Sequence, residues 1–319
     1  MKSRVGGGRR STSTLLPAVG LVVATVWLPR PVSANAQELE PRSYSAAPTG
    51  TTFVIGGIGR SQGPILMDPS LDVDNVQGDL WIATPGFGYV FNLAGRQARI
   101  LAVAPIAWGR IEGQVGGLLQ HQGLAGMVDP RIKLSIGFYG APALNAAEFA
   151  RAPRSRTVLG ASVTVVPPWG QYQPGQLANL GFNRWAVKPE VGVSHQIDRW
   201  TVEWYAGTWL FTANDNYFPS RAVKQQDPVF AAQTHVSYAL APKSSLAVNA
   251  TWFAGGQTSI DRVVSPDEQR NSRLGAVYSF SLSKRQSIKI VYSTGASTRQ
   301  GSAFNTFNVT WQLVNARTH

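Results

Sequence analysis

Four histidines, seventeen carboxylates and no cysteine are the groups from which this 319-residue sequence could build chemistry. The lack of Cys excludes thiol nucleophiles and thiolate metal sites. The histidines are His121, His195, His235 and His319, and no two have the spacing of metal ligands. Ser194 precedes His195, but neighbours in an extended segment point to opposite faces. No Gly-x-Ser-x-Gly turn accompanies them, and neither a P-loop nor a dinucleotide fingerprint is present. Glu190 and Glu203 could share a face for acid–base work, yet alternation puts Arg131 and Lys188 on that face too. The reading is of a protein with no catalytic residue, no metal and no cofactor.

The charges have a second use. Arg131, Lys133, Lys188, Glu190, Glu203, Arg273 and Lys289 all take the polar parity of alternating segments. Five are basic and two acidic, a nominal +3 if one interior collects them. Rings of Arg or Lys in a pore favour anions; pairing among the seven would account for them equally well. Tyr205 and Trp209 share parity with Glu203, in a segment that is aromatic on both faces.

The elements that must position these residues are strands. Ile132, Leu134, Ile136 and Phe138 alternate with Arg131, Lys133, Ser135 and Gly137; Val187, Pro189, Val191 and Val193 alternate with Lys188, Glu190 and Gly192. Twelve such segments are predicted, at 51–60, 78–92, 97–110, 129–139, 157–167, 185–196, 200–213, 229–240, 245–255, 272–283, 287–295 and 304–313. The third alternates poorly and its faces stay unassigned. Connections after the second, sixth, eighth and tenth are short; those after odd-numbered strands are long and rich in Gly, Pro, Asn or Gln. That parity predicts an all-β transmembrane antiparallel barrel with short periplasmic turns and long external loops. The connection at 140–156 breaks the rule, and its Ala146–Ala150 core suggests a short helix. Trp108, Trp169 and Trp185 at external strand ends, with Trp200 and Phe91 at periplasmic ends, fit two aromatic girdles.

Composition agrees. Only 14% of residues are charged, against about 25% in soluble domains, yet mean hydropathy is −0.08. Low charge without high hydropathy is what alternate contact with lipid produces. A secreted β-sandwich is the fold-level alternative. Residues 1–36 read as a signal peptide: basic Lys2, Arg4, Arg9 and Arg10, an apolar Leu15–Leu28, and Ala34-Asn35-Ala36 before a cleavage point preceding Gln37. Its removal leaves 24 basic and 17 acidic residues, so the net charge falls from +12 to +7. No basic run supports nucleic-acid binding. Residues 37–50 are expected to be a periplasmic lead segment and 51–319 the barrel.

Several stretches resemble one family, the outer-membrane barrels described as putative MetA-pathway of phenol degradation. They include Pro48-Thr49-Gly50-Thr51, GLAGMVDPRIK at 123–133, GAPAL at 140–144, NSRLG at 271–275 and STGASTRQGSAFN at 293–305. The most specific is GQYQPGQLANLGFNRWAVKPE at 170–190. Two features depart from the pattern. Trp311 is followed by Gln312–His319 where an aromatic-terminated strand, the barrel-assembly machinery's signal, is usual; Pro167-Pro168-Trp169 replaces a Pro-Thr pair.

The resemblance implies bacterial outer-membrane location and transport, with no catalytic residues to carry over. Loop length and the match together predict that 168–184 folds inward as a constriction, with Asn183 and Arg184 at its return. The expected function is a channel or facilitator for small organic solutes, aromatic or anionic ones among them. Its partners would be outer-membrane lipid, those solutes and the assembly machinery. The alternatives are a structural or ligand-binding barrel and, third, a lipid-acting enzyme.

Overall fold

Twelve segments pair edge to edge and return to the first, so that no strand of the wall is left with an open side. The computed structural model describes residues 42–66, 73–153, 155–174, 176, 178–217 and 221–316; the signal peptide and His319 lie outside them. The wall consists of β1 (Thr51–Leu66), β2 (Val73–Leu93), β3 (Arg96–Val103), β4 (Arg131–Tyr139), β5 (Thr157–Val166) and β6 (Ala186–Ile197). It continues through β7 (Trp200–Phe211), β8 (Val229–Ala241), β9 (Ser244–Gly255), β10 (Gln269–Ser281), β11 (Gln286–Ser297) and β12 (Asn305–Ala316). Each is antiparallel to its neighbours, and β1 closes the ring by pairing with both β2 (Gly57↔Thr84) and β12 (Gly57↔Thr310). Closure gives every wall strand a hydrogen-bonded neighbour on each side, which a bilayer demands because it offers no partner itself.

The side chains are arranged inside out relative to a soluble protein. Trp204 is 51% exposed while its neighbour Glu203 is 0% exposed. Val191, Phe230, Val248 and Phe307 likewise face outward, and Lys188, His235 and Ser293 are buried within. Alternation therefore does what the sequence predicts, with strand bounds close to those expected.

The weak third segment proves to be two pieces. β3 ends at Val103, Pro105 interrupts it, and Ile106–Val115 then leaves the wall as one arm of a hairpin with Leu118–Met127. Gly116 and Gly117 turn the hairpin with φ of 59° and 76°, a left-handed pair that glycine adopts without penalty. The arm pairs along the outer half of β2, from Ile106↔Ala83 outward. The predicted long loop is therefore mostly an ordered extension of the sheet. The alternation of β3 is poor because its inner face changes character: Gln97 and Arg99 are polar, Leu101 and Val103 are not.

Two other connections are ordered. Asn214–Tyr217, Ala222–Gln226, Thr258–Ile260 and Val263–Val264 form a small external sheet. The long periplasmic connection carries α1 (Ala146–Arg151), where the Asn145 side chain accepts from Glu148 N and Glu148 returns a bond to Asn145 N. This capping box starts the helix at the predicted place.

Candidate solute channel

The lead segment does not stay in the periplasm as expected. Residues 42–50 run inside the barrel at its periplasmic end. Gly50 N donates to Val90 O and Ala47 N to the Gln97 side chain. Arg99 donates to Ser45 O at 2.9 Å. Ser43 N reaches the Tyr205 hydroxyl at 3.3 Å, and Arg42 N the Glu203 carboxylate at 2.7 Å. An extended chain entering a lumen must satisfy its own backbone groups, and these polar side chains do so.

Tyr44 is the deepest anchor, 4% exposed. Its ring meets Tyr205 edge-on, with centroids 5.1 Å apart. Room for it comes from Gly160 and Gly192, which face each other across β5 and β6. A Cβ on either would lie 2.3 or 2.4 Å from the ring. The Tyr44 hydroxyl donates to Glu190 at 3.3 Å and lies 3.1 Å from Ser162 Oγ.

Glu190 gathers the interior charge. Lys188 donates to it at 2.6 Å and Lys133 at 3.0 Å; Gln233 adds a bond at 3.3 Å. One carboxylate thus sits between two ammonium groups, and the three charges sum to +1. Lys133 and Lys188 also lie over the rings of Tyr44 and Trp209, at 5.7 and 5.3 Å.

The seven charged residues divide by position. Arg131, Lys133, Lys188, Glu190 and Lys289 border a cavity of about 300 Å3 above the lead segment. Glu203 is embedded nearer the periplasmic end of the wall, and Arg273 near the external end, where it donates to Phe304 O at 3.0 Å. Tyr205 and Trp209 are on the inner face, which resolves the ambiguity of β7. The same cavity is also lined by Leu80, Ile82, Leu101 and Val103 from β2 and β3, by Val277 and Val291 from β10 and β11, and by Thr306, Asn308 and Thr310 of β12. A periplasmic vestibule of about 470 Å3 meets it where Ser43, Lys133 and Lys289 border both.

The 168–184 connection packs against inner side chains at the barrel's external end. Leu180 packs with Leu80, Ala107, Leu124 and Phe304 at the cavity's external end. Asp129 clamps both limbs of the loop, accepting from Gly170 N and Phe182 N at 2.7 Å each. Burial pushes its carboxyl above the ordinary range, while the two N–H groups and then Arg131 and Arg184 pull the other way. Asn183 donates to Asn214 at 2.8 Å, and Arg184 to Gln226 while lying over the Phe211 ring at 4.4 Å. Burial lowers the Arg184 guanidinium to about 10, still charged at neutral pH. Both residues tie the loop to the next external connection.

The family model described as putative MetA-pathway of phenol degradation matches residues 58–312. The chain belongs to this family. Among solved structures, a COG4313 outer membrane channel from Pseudomonas putida F1 is 20% identical and has the same fold, with a TM-score of 0.71 over 87% of this chain and 100% of that one. The KdgM porin, solved with disordered oligogalacturonate, aligns at 6% identity and a TM-score of 0.42 over 83% of this chain and 99% of its own. The NanC porin aligns at 8% and 0.43 over 82% and 98%. No curated protein sequence matches the chain.

In this member of the family, sequence reasoning missed the lead segment's Arg42, Ser43 and Tyr44, and with them Arg99 and His235. His235 shares parity with Gln233 and Ser237, a signal that marks it as inward; it is 0% exposed and pairs with Asn249 at 2.7 Å. His195 lies at the β6 periplasmic end on the outward parity, 2.8 Å from Thr157 Oγ1. Nothing comparable marks Tyr44, because a nine-residue polar lead has no periodicity to read.

Proposed function

We propose that the chain is a passive outer-membrane channel for small organic solutes, including aromatic and anionic ones. The observation that carries this reading is a cavity lined by both apolar and cationic side chains. Leu101 and Val103 pair across strands with Lys133 and Arg131, Val291 lies two residues from Lys289, and Lys188 and Trp209 complete this part of the lining. A solute with a flat apolar body and one negative group would find apolar contact and a cation within the same cavity. The volume of about 300 Å3 suits a single small ring compound, at the lower end of ligand-sized cavities. The lead segment would be the element that admits or refuses passage below it.

Glu190 is held by Lys133 and Lys188, and we read the protein as a conduit rather than an enzyme. The test is flux into proteoliposomes for benzoate-like anions, neutral phenols and sugars of similar size, with reversal potentials in a salt gradient. Faster entry of the aromatic compounds than of the sugars, and a reversal potential of the anion-selective sign, are the expected results. Equal entry of all three classes would sink the substrate reading. No flux with any of them would sink the channel and favour a ligand-binding barrel.

A further inference from the structure

The short-turn end of the barrel carries a charge imbalance that the other end does not. Arg96 follows the Ala94–Gly95 turn, Arg199 closes the turn after β6, and Lys243 the one after β8. Lys284 and Arg285 lie in the connection after β10, and Arg151 and Arg156 in the one after β4. Each of the five connections at this end thus presents at least one cation. All these side chains are exposed, and among the described residues none is ion-paired. The described acids nearby are Glu148, engaged in the helix cap, and Asp198. At the external end acids match the cations: Asp215 and Asp227 flank Arg221 and Lys224, and Asp261, Asp267 and Glu268 stand against Arg262, Arg270 and Arg299.

Depth identifies what the cations meet. The last outward side chains before these turns are apolar and exposed: Leu93, Ile197, Leu240 and Leu282. Beside them lie three outward ring pairs, Tyr89–Phe91, Trp200–Tyr238 and Tyr278–Phe280, with centroids 6.1, 4.6 and 5.6 Å apart. Aromatic pairs of this kind mark the membrane interface. The two-residue turns at 94–95, 198–199 and 242–243 and the four-residue connection at 282–285 hold Arg96, Arg199, Lys243, Lys284 and Arg285 close to the apolar edge, inside a headgroup layer about 5–8 Å deep on each side. Such turns do not project far enough to engage a soluble partner's face.

We propose that this rim is a collar that binds the phosphate headgroups of anionic phospholipids in the periplasmic leaflet. Arginine predominates in it, and a guanidinium matches phosphate oxygens with two parallel bonds. Exposed basic residues at a membrane surface each add about fivefold to the preference for anionic lipid. The collar fixes the depth of the barrel's periplasmic edge and surrounds the vestibule with anionic lipid.

The experiment uses the full mature chain in nanodiscs of mixed phosphatidylglycerol and phosphatidylethanolamine. Lipids that stay bound on gentle release are counted by native mass spectrometry. Wild type should retain phosphatidylglycerol over phosphatidylethanolamine by about fivefold or more. The combined Arg96→Gln, Arg199→Gln, Lys243→Gln, Lys284→Gln and Arg285→Gln variant should lose that preference. A control with Arg221→Gln, Arg262→Gln and Arg299→Gln at the external end should keep it. Equal retention of both lipids by wild type overturns the proposal, as does an undiminished preference in the collar variant or a loss in the control. Should the fivefold-substituted chain fail to show heat-modifiable migration, Lys284→Gln with Arg285→Gln alone must lower the preference; no change there overturns the proposal equally.

Discussion

Arg42 and Glu203 are separated by 161 positions in the chain, yet the backbone N–H of the first donates to the carboxylate of the second at 2.7 Å. The acid is fully buried in the wall of β7, and the lead segment approaches it through the barrel's interior. A charge-assisted bond of this kind is stronger than one between neutral groups. It pins the entering end of the segment, as Tyr44 pins its middle.

Removing the Tyr44 ring should therefore open the lower passage. Tyr44→Ala is expected to raise single-channel conductance in planar bilayers and to cost about 3 kcal/mol of stability, in the range for deleting a buried aromatic side chain. An unchanged conductance would mean that the segment does not obstruct ion flow.

Gly160→Ala should reproduce that increase without touching the segment. The new Cβ would overlap the Tyr44 ring at 2.3 Å, so the ring must leave its slot. The strands of β5 and β6 keep their pairing, and heat-modifiable migration should persist. A conductance equal to wild type would show that the ring is accommodated elsewhere.

Glu190→Gln removes the acid that Lys133 and Lys188 share. Breaking a buried ion pair from one side costs roughly 3–5 kcal/mol, which urea titration in detergent would register. The freed ammonium groups should also strengthen anion preference in the reversal potential. A shift toward cations would contradict the assigned polarity of the lumen.

The loop clamp should depend on pH. Burial holds the Asp129 carboxyl above its ordinary range, so the folded state keeps this proton longer than the unfolded chain does. Its contribution is then fully present below the ordinary carboxylate range and is lost as pH rises through the elevated value. Amide exchange at Gly170 and Phe182 should accelerate across that interval, and Asp129→Asn should abolish the dependence. Exchange that slows with rising pH, once corrected for its intrinsic rate, would reverse the sign assigned here.

Most of the wall was legible because a residue in a closed barrel has only two destinations, lipid or lumen. Alternation alone therefore assigned Arg131, Lys133, Lys188 and Glu190 to the inside. The same logic failed in β3, where Leu101 and Val103 face an apolar sector of the lumen and the two faces cease to differ in polarity. The hairpin beyond residue 110 was read as loop because the pairing of Ile106–Val115 with β2 continues the sheet past Pro105, a long-range contact with no local mark.

The sequence by itself determined the twelve strands, the parity of their connections and the inward set of charges, since these follow from a period of two and from turn chemistry. Tertiary structure alone decided that the lead segment threads the lumen, that Gly160 and Gly192 make a slot for Tyr44, and that Glu190 serves two lysines. Each of those depends on register between strands or on where a chain end is drawn, and neither quantity is written in any local stretch of residues.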